Sequence, residues 1–436
     1  MKWRRNKIVS IALIFVMCLS LTACSGGSVG KDLPLEGATD LTANRNKDTI
    51  YCFADTVITD KDYDEATVNV ALTDFAVRLF QKNLAMEAVG GGSSKNILIS
   101  PTSIISALGM TTFGAKGDTL TQMENVFGLS RGHLNYYNSQ YLMNLSNELK
   151  LANSIWMIDD DRLTVKDEFL QFNEEFYGAD IYKTPFDDKA LENINKWVEL
   201  NTDGMIKDIL DEIPKDAVMY LINALVFEAE WEEKYDSTQI AKGQIFTASN
   251  GAEQKVDMMC SNERLYLEDE NAKGFVKYYK DRNYAFVALL PNEDTDVYNY
   301  VKNLCGEHLQ NLLANPVETN VDVRIPQFSY EYDIEMSELL EEMGMTDAFE
   351  GSKADFTDMA TSTNGNIWMN RVLHKTFIEV SPVGTKAGAA TVVECMDECA
   401  TIYEDQKEVH LNRPFIYMII DCESNQPVFI GTVSMI

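Results

Sequence analysis

From Val68 onward, apolar residues recur at helical spacing. Val70, Leu72, Phe75, Ala76, Leu79, Phe80 and Leu84 share a face, and Asp74, Arg78 and Lys82 fall between them. This spacing predicts an amphipathic helix of several turns, broken by Gly90-Gly91-Gly92-Ser93-Ser94. Ile97-Leu98-Ile99 predicts a short buried strand. Ser100 is suited to cap the next helix, with Pro101 in its first turn and Ile104, Ile105, Leu108 and Met110 along its apolar face. The pattern predicts further helices around 119–127, 138–150, 166–177 and 190–201. Later segments change period. Tyr284 to Leu290 is a continuous apolar run ended by Pro291, a strand buried on both faces. Val321, Val323 and Ile325 alternate with Asp322 and Arg324, as in a half-buried strand. Residues 415–420 and 428–433 flank Glu423-Ser424-Asn425-Gln426, as in a hairpin. Helices fall mostly early and strands mostly late, without strict alternation, which predicts an α+β fold.

Composition narrows the function. The chain has 436 residues, 45% hydrophobic and 24% charged, enough to bury a sizeable core. Its net charge of −31 disfavours nucleic acid and anionic headgroups as partners. The eight cysteines contain no C-x₂-C pair, and the four histidines (His133, His308, His374, His410) are far apart in sequence, so no metal site is expected. G-x-S-x-G, H-E-x-x-H, P-loop and G-x-G-x-x-G motifs are all absent. No enzyme, cofactor or catalytic residue is therefore expected.

The N-terminus reads as an address. Lys2, Arg4, Arg5 and Lys7 precede an apolar stretch from Ile8 to Leu21, which has signal-peptide proportions and is short for a membrane span. Leu21-Thr22-Ala23-Cys24 resembles the lipobox of bacterial lipoproteins, which implies cleavage before Cys24 and acylation of that cysteine. An ordinary secretory signal with Cys24 a bystander is the alternative. The flexible Ser25-Gly26-Gly27-Ser28 that follows suits a tether. Residues 1–23 carry the four basic groups named above, so the mature charge becomes −31 − 4 = −35. The expected organisation is a signal peptide over 1–23, a lipidated cysteine and flexible spacer over 24–65, and one folded domain over 66–436.

Within that domain, Asn96 to Met110 and then Phe113-Gly114-Ala115 resemble the early signature of the serpin family. Asn195-Lys196-Trp197-Val198, Thr202-Asp203-Gly204-Met205-Ile206 and Leu221-Ile222-Asn223-Ala224-Leu225-Val226-Phe227 with Trp231 look like later blocks. Met258-Met259, Leu289-Leu290-Pro291, Ile325-Pro326-Gln327-Phe328, Met343-Gly344-Met345 with Phe349, and Val409 to Phe415 continue in order. The resemblance implies three β-sheets, eight or nine helices and an exposed reactive loop near the C-terminus. It also implies a sheet-opening cluster of Ser100, Ser103, Asn223 and His374, with Trp231 at the top of the same sheet.

The resemblance places the inhibitory hinge at Gly384, Thr385, Lys386, Ala387, Gly388, Ala389, Ala390 and Thr391. A strand entering the middle of a sheet points alternate side chains into the core beneath. Thr385, Ala387, Ala389 and Thr391 are those positions, and all are small. No proline interrupts the run. A small-residue linker that never inserts is the plainer reading, less favoured at this point in such a chain. One departure stands out: Ser381-Pro382-Val383 occupies a place where the family usually has acidic residues. Counting from Gly384 puts the scissile bond at Glu398–Cys399, with Met396 and Ala400 as alternative positions. Cys395 and Cys399 share the loop and read as free thiols rather than a bridge.

The resemblance implies a suicide-substrate inhibitor of serine proteases that forms a covalent acyl complex. Papain-like cysteine proteases are a further target class, and a non-inhibitory carrier serpin is the alternative. A monomer is expected, held by lipid on the outer side of the cell membrane, or shed from it.

Overall fold

The structure is a computed structural model that describes residues 35–44, 53, 63–89, 95–385 and 406–436. The fold is α+β. Glu65–Val89 forms the long helix expected from its apolar face. Pro101–Thr112 forms a second helix, and the Ser100 side chain accepts from Ser103 N at its start. All but one of this helix's residues are buried, because it runs beneath the functional sheet rather than over the surface.

That sheet comes in two halves. One has four strands in the order Thr39–Asp40, Asp180–Thr184, Leu149–Ile158, Met219–Phe227. The other runs Phe328–Glu335, Leu373–Val380, Gly384–Thr385, Ala229–Glu230. Only Glu228 separates strand 219–227 from strand 229–230, so the halves share one continuous edge and meet at the hinge end. Alternation divides the side chains of strand 219–227 between two cores. Leu225 and Phe227 enter the larger core with the buried helix, whereas Ile222 and Ala224 pack under helix Asp188–Asn201 with Trp156 and Trp197.

The remaining strands form a nine-stranded sheet and a two-stranded one. The sixteen-residue strand Glu253–Glu268 is long enough to pair with three neighbours, and so merges what the resemblance implied as separate sheets. The apolar strand Tyr284–Pro291 is buried at every position, and the hairpin 415–433 forms as expected.

Two expectations change. The helix expected over 138–150 spans Arg131–Met143, capped by Ser130, and Leu149 opens a strand. Leu142, Leu145 and Leu149 continue the helical spacing by coincidence, and Leu149–Ile158 is drawn into the sheet by pairing along its length with strand 219–227. Part of the expected spacer is also structured: Thr39–Asp40 pairs with strand 180–184, and Phe53 packs edge-on against Phe113, Phe172 and Phe176.

Candidate functional site: a hinge in a parted sheet

Gly384 and Thr385 form a two-residue strand wedged between two others. Gly384 lies opposite Glu230; Thr385 lies opposite Ala229 on one side and Val380 on the other. Space dictates the glycine, since a Cβ there would sit 2.0 Å from the Ala229 carbonyl oxygen. Thr385 points inward, 2% exposed, with its hydroxyl 2.6 Å from that of Tyr279. Burial keeps the Tyr279 phenol protonated far above its ordinary range.

Trp231 organises the approach to this strand. Its ring stacks on Tyr279 at 4.6 Å. Its Nε1 donates to Ser381 O at 2.8 Å, and its backbone N donates to Val383 O at 2.9 Å. Tyr235 N donates to Pro382 O at 3.0 Å, and Ser381 N donates to Gly384 O at 3.0 Å. Pro382 thus contributes its carbonyl to the turn, and its missing N–H leaves these bonds intact. Beneath lies the buried pair Lys277–Glu263, 2.8 Å apart, with the ammonium 4.7 Å from the Tyr235 ring centre.

Below the hinge the halves part. Strands 219–227 and 373–380 are not paired with each other. A cavity of only about 10 Å³ borders Thr385, lined also by Met205, Phe227, Phe377, Ile378 and Glu379. The crossover after helix 188–201 spans the opening, and Lys375 Nζ donates to Asp208 O at 2.7 Å. An added strand would continue directly from Thr385 into this opening.

The expected polar cluster lies lower, where the halves diverge. His374, on one half, accepts from Ser100 N through Nε2 at 3.0 Å. Ser100 Oγ donates to Val428 O at 2.8 Å. Ser103 Oγ donates to Asn223 Oδ1 on the other half. Asn223 Nδ2 then donates to Asn153 Oδ1 at 2.8 Å, and Asn153 Nδ2 donates to Tyr177 O at 2.7 Å. The start of the buried helix therefore fastens both halves. Burial pushes the His374 imidazole down to about 3, so it stays neutral, as its acceptor role requires.

The structure thus brings Ser100, Ser103, Asn223 and His374 together. Trp231 joins Gly384 and Thr385 at the hinge instead. Ala387, Ala389, Ala390, Thr391, Met396, Glu398, Cys399, Ala400 and Cys24 lie outside the described residues. Sequence reasoning missed Asn153, Tyr279, Tyr235 and the Lys277–Glu263 pair. The polar pair Asn153-Ser154 within a buried strand was a usable signal, because buried amides need partners. Among the described residues no group of three His, Cys, Asp or Glu is arranged to hold a metal.

Strands 219–227 and 373–380, unpaired with each other and joined through the two-residue strand Gly384–Thr385, mark the class of fold. The family profile described as Serpin (serine protease inhibitor) matches residues 70–436, and the chain belongs to that family, whose members are generally inhibitors rather than enzymes. Human Serpin B3 is 30% identical over 400 residues, covering 84% of this chain and 99% of its own. The thermophilic serpin tengpin in its native state is 42% identical, with a TM-score of 0.81 over 92% of this chain and 100% of its own. Tengpin in its latent state is 43% identical, with a TM-score of 0.75 over 86% of this chain and 99% of its own.

Proposed function

We propose that the chain inhibits serine proteases as a single-use substrate, anchored outside the cell through acylated Cys24. The protease serine hydroxyl attacks the Glu398 carbonyl, the Cys399 amine leaves, and an ester links the enzyme to Glu398. The freed hinge then continues from Thr385 into the opening, gaining ladder hydrogen bonds on both sides. The enzyme is dragged along, its site is distorted, and the ester survives.

The observation that carries this reading is the two-residue strand Gly384–Thr385, with Thr385 buried at the point below which strands 219–227 and 373–380 do not pair with each other. The Pro382 departure fits as well, because its carbonyl is bonded and its ring interrupts no ladder.

The test is to mix the soluble domain with elastase-like and Glu-preferring serine proteases, with papain as a cysteine-protease arm. An SDS-resistant complex, with a cut mapped by mass spectrometry between Cys395 and Ala400, is expected. Clean cleavage by every protease without a complex overturns the inhibitor reading and favours a non-inhibitory carrier.

A further inference from the structure

Residues 35–44 precede the 70–436 match and take no part in the loop mechanism, yet they are built into the sheet. Leu35 is 9% exposed, in the core that includes Trp156, Tyr182, Ile194 and Trp197. Ala38 N donates to Leu35 O at 3.2 Å, closing a turn that requires Gly37 at φ +82°. Asn193 Nδ2 donates to Glu36 O at 3.0 Å, and Ile181 N donates to Thr42 Oγ1 at 2.8 Å. These bonds fix the point at which the chain enters the domain.

Strand register shows where that point lies. Thr39 faces Lys183, Lys183 faces Met157, and Met157 faces Met219. Glu230, which faces Gly384, lies eleven residues beyond Met219, about 36 Å at strand rise. The chain therefore enters at the opposite end of the sheet from the hinge. Cys24 precedes Leu35 by eleven residues, a reach of at most about 39 Å. A domain of this size is roughly 54 Å across, so so short a leash cannot let it turn over freely.

We propose that residues 35–44 dock the lipid tether at the hinge-distal end of the sheet, so that the anchored domain presents its reactive loop away from the bilayer. This rests on the reading that Cys24 is acylated. The exposed carboxylates of Asp159, Asp161, Asp187 and Asp188 at the entry end disfavour adhesion to anionic headgroups. Leash length and attachment point, not attraction, set the orientation. Release of the segment would leave Phe53 as the next buried residue among those described, lengthening the leash to 29 residues, about 100 Å.

The test uses the full-length lipidated chain in phosphatidylglycerol-containing vesicles that carry an amine-reactive lipid. Labelling of each lysine is normalised to a soluble reagent of the same chemistry. Lys183, Lys189 and Lys215 at the entry end should react several-fold faster than Lys234 and Lys280 beside the hinge. L35D/T42A should flatten that ratio while the chain stays vesicle-bound. Equal labelling in the vesicle-bound wild-type chain overturns the orientation alone. A chain without acyl groups on Cys24 by mass spectrometry, and unable to float with vesicles, overturns the anchoring reading and the orientation with it.

Discussion

Thr385 has no room to be anything large: it is 2% exposed and its hydroxyl is bonded to Tyr279. T385R should therefore leave the loop cleavable but abolish the SDS-resistant complex, because burying an unpaired guanidinium is prohibitive. T385V should keep most of the trapping, and the ratio of complex to cleaved product on a gel checks both. His374 makes a second residue-scale prediction. Its folded value of about 3 lies below the ordinary 6.5, so between those values only the unfolded chain takes up the proton. The contribution is full above about pH 6.5 and is lost as pH falls toward 3. H374Q should remove that part of the acid sensitivity, read by denaturant unfolding at pH 7.5 and 5. These residues were legible in sequence because alternation alone assigns Thr385 its face and the motif order assigns His374 its partners. Tyr279 and Lys277 were not legible. They come from strands a hundred residues away, and nothing local distinguishes them from ordinary core.

Among elements, the segment 35–44 was the least legible. Its polar composition resembles a linker, and its order comes from Leu35 and from pairing with strand 180–184. L35A should destabilise the domain by about 2 kcal/mol, the lower end for a buried leucine, seen as a lower thermal midpoint. E36A should change little, since its carboxylate meets Lys189 at 3.5 Å in full solvent. The helix 131–143 teaches the complementary lesson. Leucine spacing extended the expected helix past Met143, but the pairing of 149–158 with 219–227 overrode local pattern. Elements whose cores are sequential, such as the buried helix 101–112 and the strand 284–291, were read correctly because burial leaves an uninterrupted apolar signature.

At the scale of the molecule, the sheet's two halves meet through Gly384 and Thr385 at one end and are fastened through Ser100 and Ser103 at the other. Between these ties lies the opening bridged by Lys375 and Asp208. The α+β class was evident from the order of helices and strands. The parting itself was not, since it is an absence of pairing between strands that are each well formed. Six further hinge residues, 386–391, entering between two strands would make on the order of ten new ladder bonds, about 10 kcal/mol at roughly 1 kcal/mol each. At roughly 2 °C per kcal/mol that is about 20 °C. The most direct measurement is the thermal midpoint of the soluble domain before and after a single cut between Cys395 and Ala400. A rise of that order is the expected result. An unchanged midpoint after complete cleavage would mean that the opening does not take up the loop, and would contradict the account.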